Sequence, residues 1–356
     1  MSPGRLRGPA GRRSSGRSGR RLVAAAGAGV SGLTAAGAAR LAYSVLSRRP
    51  PGGTKAWSRT NHRGEPVTLL EGPAAAAGAI AGVLAWAGLR TVAGSVHGPA
   101  GVSAAWRLAA AMTVAGSGAA GFGAYDDLAG SSDRRGFRGH LGALRHGEVT
   151  TGAVKLGGIG ATGIASAALV GGDAADLVIN AGLVAGLANL LNLLDLRPGR
   201  AIKAAIASGA LIAWPAGRHR AGATGPEGTR ATALLPPLAA ALALLPEDLG
   251  ERAMLGDAGA NALGAMLGAA ASSGLSRPAR VALLAVIAGL TAASEKVSFT
   301  AVIARTPALR RLDMLGRRPV PPEPAVLIPV QRLADQHGGG RPGRPAENTD
   351  IAPPRE

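Results

Sequence analysis

Four sets of polar residues interrupt otherwise apolar stretches of this 356-residue chain, and each carries oxygen ligands suited to divalent cations or phosphate partners. The first is the pair Asp126-Asp127, in Gly-Phe-Gly-Ala-Tyr-Asp-Asp-Leu-Ala-Gly. Adjacent carboxylates at a helix's C-terminal end oppose its dipole and repel one another, and a divalent cation would relieve both problems. The start of a solvated loop would suit the pair equally. The second set is Asn189, Asn192 and Asp195, in Asn-Leu-Leu-Asn-Leu-Leu-Asp. Spacing of i, i+3 and i+6 covers about 120° of a helical face, so the three side chains are expected to converge on one site. Hydrogen bonding between helices is the plainer role for the two carboxamides.

The third set is Asp257 and Asn261, in Met-Leu-Gly-Asp-Ala-Gly-Ala-Asn. Glycines beside an acid at the start of a helix permit close backbone approach, and the helix N-terminus suits phosphate. A simple N-capping role for Asp257 is the alternative. The fourth is Glu295 beside Lys296, where an internal ion pair is the simpler reading. A charged side chain placed in lipid costs about 2.5–3.5 kcal/mol on insertion scales, so each acid calls for a partner or a purpose.

The elements that must position these residues are helices in a membrane. The chain is 47% hydrophobic and 17% charged, against about 25% charged for a soluble domain. Its charges cluster in short basic segments between apolar ones. Apolar segments near 22–43, 67–89, 105–125, 154–171, 175–194, 201–215, 231–246, 254–274 and 279–304 predict an all-α, polytopic transmembrane helical bundle. Several fall short of the ~20 residues that cross a bilayer, so about nine spans, eight to ten, are expected. The first segment is too long, and followed by too many others, to be a signal peptide. Residues 1–21 read as a disordered basic tail, 22–305 as the transmembrane domain, and 306–356 as a largely disordered, Pro/Gly-rich cytoplasmic tail. Small residues at Gly157, Gly160, Gly163 and Ala167 suggest close helix packing.

Loop charge gives orientation. Loops 44–66, 126–153 and 195–203 carry Arg48, Arg49, Lys55, Arg59 and Arg63, then Arg134, Arg135, Arg138 and Arg145, then Arg197, Arg200 and Lys203. They alternate with loops 90–104 and 172–176, which are poor in Lys and Arg, and are expected to be cytoplasmic. The Arg-rich N-terminal tail and loop 216–230, with Arg218, Arg220 and Arg230, disagree with that assignment. Counting spans places Asp126, Asp195 and Asp257 on one face, with Glu295 close to it. The net charge of +18 comes from a tail and loops without aromatic interleaving, which points to anionic lipid and away from nucleic acid. The absence of Cys excludes disulfides and thiolate metal sites.

In order and spacing, the four sets resemble the polyprenyl-phosphate N-acetylhexosamine-1-phosphate transferases, which include the phospho-N-acetylmuramoyl-pentapeptide transferase. The family's Asp-Asp pair is similar to Asp126-Asp127, its Asn-x-x-Asn-x-x-Asp-Gly-x-Asp-Gly motif to Asn189–Gly199, and its Gly-Asp-x-Gly-Ser-x-x-Leu-Gly motif to Gly256–Gly264. A late Glu-x-x-Ser segment resembles Glu295–Ser298, and the likeness covers about residues 40–305. The chain differs at Leu196, Pro198 and Ala260, and it has no His between Ser298 and His337 where the family keeps a cluster.

The resemblance implies Mg²⁺-dependent transfer of a HexNAc 1-phosphate from a UDP-sugar to polyprenyl phosphate, in peptidoglycan or other envelope polysaccharide synthesis at the cytoplasmic face of the plasma membrane. Asp195, Asp126 and Asp257 would ligate Mg²⁺ or Mn²⁺. Asp126, Asp127 and Asp195 would be catalytic, and Asn189, Asn192, Lys155, Asp257 and Asn261 would bind substrate. Lys155 has snorkelling to lipid headgroups as its simpler role. The expected partners are the membrane lipid and the UDP-sugar; a homodimer is compatible, and nucleic acid is not expected. The departures favour an alternative, a catalytically degenerate relative that binds lipid-linked precursors or an envelope partner. A transporter would predict inverted repeats, and none is visible in the sequence.

Overall fold

A computed structural model describes residues 12–92, 94–129, 150–214 and 226–319. The basic loop residues Arg134, Arg135, Arg138, Arg145, Arg218 and Arg220 fall outside these, as do residues 1–11 and 320–356. The described chain is mostly helical. Its helices are α1 (Arg12–Arg48), α2 (Glu71–Val92), α3 (Gly94–Ala129), α4 (Thr151–Val170), α5 (Ala174–Leu194) and α6 (Arg200–Ala213). There follow α7 (Pro226–Ala233), α8 (Leu235–Leu249), α9 (Gly256–Gly274), α10 (Arg277–Ser294), α11 (Phe299–Arg305) and α12 (Pro307–Met314). A small antiparallel hairpin, β1 (Ser58–Thr60) and β2 (Pro66–Thr68), sits between α1 and α2.

Among the described residues, five helical stretches are long and apolar enough to cross a membrane: Glu71–Val92, Thr151–Val170, Ala174–Leu194, Thr229–Leu249 and Arg277–Ser294. Every apolar segment picked from the sequence contains a helix, but several are unlike free-standing spans. Helix α6 has 14 residues, about 21 Å at the usual rise. The last segment, expected to run to 304, breaks after Ser294, and Ser298 caps the separate helix α11. Helix α1 begins at Arg12, within the stretch expected to be a loose tail. It packs on α2 and α8, with Gly78 and Gly82 of α2 set against Ala39, Ala35 and Ser31.

Helix α9 is the axis of the bundle. It packs on α2, α3 and α5, and every residue from Ala258 to Ser272 is buried. A helix buried on all sides must be apolar on all sides. This one is built almost wholly of Ala and Gly, with single Leu and Met side chains filling the gaps. Alanine is the strongest helix former and costs no side-chain entropy. Helix α10 is the opposite case: it rests chiefly on α5 and buries only Ile287. The expected small-residue stripe on α4 is half used. Gly163 meets the Ala181 carbonyl and Ala167 is buried, whereas Gly157 and Gly160 face open space.

The polar loops gather at one end. The Thr68 carbonyl accepts from the Met254 N–H, Arg63 pairs with Glu251, Arg40 pairs with Glu247, and Lys155 meets Asp126 and Asp257. Residues 307–318, expected to belong to a disordered tail, dock at this end. Asp313 accepts from Arg200 Nε at 2.7 Å and from Arg317 Nη1 at 2.7 Å. Lys203 Nζ donates to the carbonyls of Asp313 and Leu315. Arg318 pairs with Glu65 on the hairpin. Composition averages over Pro and Gly; it does not register a few charges placed to meet specific partners.

At the far end, Arg230 is buried and donates to the Gly274 carbonyl at the C-terminus of α9, where a positive charge meets the negative end of the dipole. Its charge is thus spent inside the protein, so it no longer weighs as a loop charge against the expected orientation.

Candidate functional site

The site grows from the start of α9. Leu255, which precedes the helix, is itself αR and supplies no side-chain cap. The cap comes instead from α3: Asp127 accepts from the backbone N–H of Asp257 at 3.1 Å and of Ala258 at 2.9 Å. Two of the orphan donors of the first turn are thereby satisfied by a carboxylate on another helix. Gly256 is left-handed, with φ of 59°, and a Cβ there would lie 3.1 Å from Asp127 Oδ2. On the α3 side, a Cβ at Gly123 would collide with the Asp257 carbonyl. Only glycine fits at either position. The capping role that sequence gave as the alternative for Asp257 therefore belongs to Asp127, which was expected to be catalytic.

Freed from capping, Asp257 turns its carboxylate to Lys155. The ammonium lies between Asp257 Oδ2 and Asp126 Oδ2, the latter at 3.4 Å. Lys155 is buried and does not snorkel. Asn261, expected to touch substrate, is fully buried and donates to the Asp257 carbonyl at 2.6 Å, one turn back along its own helix. It braces the first turn of α9.

Asp126 and Lys155 line a cleft of about 620 Å³ together with Asn189, Asn192 and Glu295. Five polar residues from α3, α4, α5 and the end of α10 thus face one space. Leu156, Leu284 and Ile287 add an apolar wall. The expected convergence of Asn189, Asn192 and Asp195 is only partly met. Asp195 is the C-cap of α5, with φ of −79° and ψ of 41°, and the chain leaves the helix there. Its side chain therefore departs from the face that holds the two carboxamides.

Asp195 lines a second cavity of about 210 Å³, shared with His62, Arg197, Asp248 and Glu251. Glu251 is satisfied by Arg63 and Asn61. Asp195 Oδ2 and Asp248 Oδ2 are buried without a hydrogen-bond partner, and so are both oxygens of Glu71 at the start of α2. Glu71 stands within electrostatic range of both aspartates. His62 lies 3.3 Å from Arg317 Nη2. Burial first, then Arg197, holds its imidazole below the usual value, so it is neutral at pH 7.

Sequence reasoning missed Glu71, Asp248 and His62. Glu71 was within reach of the rule that singled out the others, since it is an acid inside an apolar segment. Asp248 looked like the polar end of a span, and His62 sat in a loop read only for its charge.

A divalent cation fits the donor chemistry. The acids are hard oxygen ligands, and Asp195 offers a buried oxygen that no donor satisfies. Among the described residues no three His, Asp or Glu side chains close on one point. Mg²⁺ does not need such a cage, because it keeps waters and takes one or two carboxylates plus substrate phosphates. Compared with known proteins, the chain matches no family model and no curated protein.

Proposed function

We propose that the chain is a membrane phosphoglycosyl transferase that moves a HexNAc 1-phosphate from a UDP-sugar to polyprenyl phosphate, in cell-envelope precursor synthesis. The reading is supported above all by the cleft that takes Asp126, Lys155, Asn189, Asn192 and Glu295 from separate helices beside an apolar wall. On this reading about nine segments cross the plasma membrane, roughly one per ~20 apolar residues, and the carboxylate end is cytoplasmic. An acceptor phosphate oxygen attacks the β-phosphorus of the UDP-sugar, the bond to the bridging oxygen breaks, and UMP leaves. The problem is repulsion between anions, so charge neutralisation and alignment supply most of the catalysis.

Lys155 is placed to turn from Asp126 and Asp257 toward phosphate oxygens. Asp126, released from the ammonium, would take the proton of the acceptor phosphate. Asn189 and Asn192 would orient the nucleotide phosphates from α5. Asp127 and Asn261 act as positioning residues that fix the first turn of α9. Asp195, with Asp126 or Asp257, would hold Mg²⁺ or Mn²⁺, which when bound screens the diphosphate charge.

One observation favours a second reading, a relative that binds lipid-linked precursors without turnover. Lys155 already occupies the space between Asp126 and Asp257, and no acid stands at Leu196 or Pro198. The deciding experiment incubates purified protein in detergent with Mg²⁺, undecaprenyl phosphate and a panel of UDP-HexNAc donors. UMP release that is lost in Asp126→Asn and Asp195→Asn supports transfer. Silence across the panel with retained lipid or nucleotide binding supports the second reading.

A further inference from the structure

At the far end of the bundle, away from every carboxylate discussed so far, lies a cavity of about 400 Å³. Its polar wall is Arg107, Thr229 and Ser273, and its apolar wall includes Ala104, Leu108 and Val170. No Asp or Glu is among its described lining residues. Among the described residues Arg107 has no ion-pair or hydrogen-bond partner, whereas Arg277 and Arg280 grip Asp173 and Asp176, and Arg230 meets the Gly274 carbonyl.

Of the two hydroxyls, Ser273 already donates to the Ala270 carbonyl, which leaves Thr229 to serve an anion. Thr229 Oγ1 accepts from Arg90 Nη2 at 3.2 Å, so its own proton remains for an acceptor in the cavity. Arg90 is buried, rests over the Trp86 ring at 5.5 Å, and has no acidic partner among the described residues. Its Nε is also unpartnered. The cavity is therefore lined by the exposed guanidinium of Arg107 and backed by the buried one of Arg90. A buried cation normally carries a counter-charge, and Arg90 has none among the described residues.

Depth in the membrane identifies the source of that charge. Arg107 and Asp126 are on the same helix, 19 residues apart. At 1.5 Å per residue this is about 28 Å, close to the ~30 Å hydrocarbon thickness of a bilayer. On the membrane reading proposed above, which sets Asp126 at one headgroup layer, Arg107 falls at the other. Trp106, beside it, is 42% exposed, and Trp214, ending α6 at the same end, is 72% exposed. Exposed indoles mark the interface in membrane proteins.

We infer that this cavity binds the phosphate headgroup of an anionic lipid from the leaflet opposite the carboxylate cleft, with Arg107 as the main ligand and Thr229 as a hydroxyl donor. The apolar wall would take the first methylenes of the acyl chains. Such a lipid would tie together α3, α4, α7 and α9, which all contribute to the lining.

The test is native mass spectrometry of the detergent-purified full chain titrated with dioctanoyl phosphatidic acid, dioctanoyl phosphatidylcholine and inorganic phosphate. The inference expects phosphatidic acid to bind best, about tenfold weaker binding in Arg107→Gln, and partial retention in Arg107→Lys, because the charge-assisted contacts to the guanidinium are lost. Thr229→Val should weaken binding by a smaller factor, about threefold for one neutral hydrogen bond. Equal binding by the wild-type chain and Arg107→Gln overturns it. So does equal affinity for phosphatidylcholine, which shows that net charge is not read. Binding of inorganic phosphate as tight as the lipid overturns the lipid assignment. Arg107 is exposed, so a thermal melt unchanged in Arg107→Gln is the expected folding control.

Discussion

Asp126 and Asp257 share the ammonium of Lys155, whereas Asp195, Asp248 and Glu71, at the same end of the bundle, present buried oxygens that no donor meets. The first group is bridged by one ammonium of the protein and holds α3, α4 and α9 together. The second is costly: Asp195 and Asp248 each accept one backbone N–H, from Gly256 and Gly199, but keep a buried oxygen that no donor meets, and Glu71 keeps two. On the transferase reading, the first cluster serves both stability and the reaction, whereas the second serves binding alone. Removing a member of the first group should harm the fold. Removing a member of the second should leave the fold intact and affect only what the site binds.

The largest effect expected from this contrast is on turnover. Asp195→Asn should reduce UMP release by about a thousandfold, on the scale of losing one preorganised charge-stabilising group. Because Asp195 Oδ2 has no partner to lose and Asn keeps an oxygen to accept from the Gly256 N–H, the melting temperature in detergent should stay level or rise. A variant that melts well below wild type would show that Asp195 is as structural as Asp127, and the contrast would fail.

Lys155→Met tests the other side. It leaves Asp126 and Asp257 facing each other without a cation, and breaking such a largely buried pair costs about 3 kcal/mol. Denaturant titration in detergent measures it. Millimolar Mg²⁺ should restore part of the loss in this variant and little in wild type, since two facing carboxylates then seek a divalent ion. Indifference to Mg²⁺ would argue that these acids cannot join in holding one.

Asp127→Ala removes two backbone acceptors from the first turn of α9, and N-cap losses are worth about 1–2 kcal/mol. Asp127→Asn keeps one acceptor oxygen and should recover about half of that. Turnover should fall in step with the unfolded fraction. A large loss of activity in Asp127→Asn at full stability would instead return this residue to the catalytic role that its sequence position implied.

How far these roles were legible in sequence depended on whether the signal was local. The apolar segments and their helices were readable because hydropathy is a property of each stretch alone. Asp126, Lys155 and Asn189 were found because polar groups stand out against Ala and Leu. The split between Asp126 and Asp127 was not readable, since it depends on α9 arriving with its N-terminus at α3, through Gly123 and Gly256. Asn192 and Asp195 looked alike on a helical wheel, and the wheel fails where the helix ends. The docked segment 307–318 was hidden for a related reason: Asp313 has meaning only beside Arg200, over a hundred residues away.

Asp313 supplies the smallest expected effect and a third case for the comparison, a carboxylate with several cations around it. Burial alone would raise its carboxyl, but Arg200, then Arg317 and Lys203, outweigh that and hold it below the usual value. A depressed folded value means that the stabilisation is complete above the ordinary carboxylate range near ~4 and is lost only as pH falls through the lower, folded value. Hydrogen exchange across residues 299–318, corrected for the intrinsic pH dependence, should therefore show constant protection from about pH 7 to 5 and release only in stronger acid. Asp313→Asn should loosen the same segment at every pH while leaving α9 protected. If release instead begins above the ordinary carboxylate range, the titrating group is not Asp313. Neutral His62, against Arg317 on the same strap, would then be the one that gains a proton and drives the cations apart.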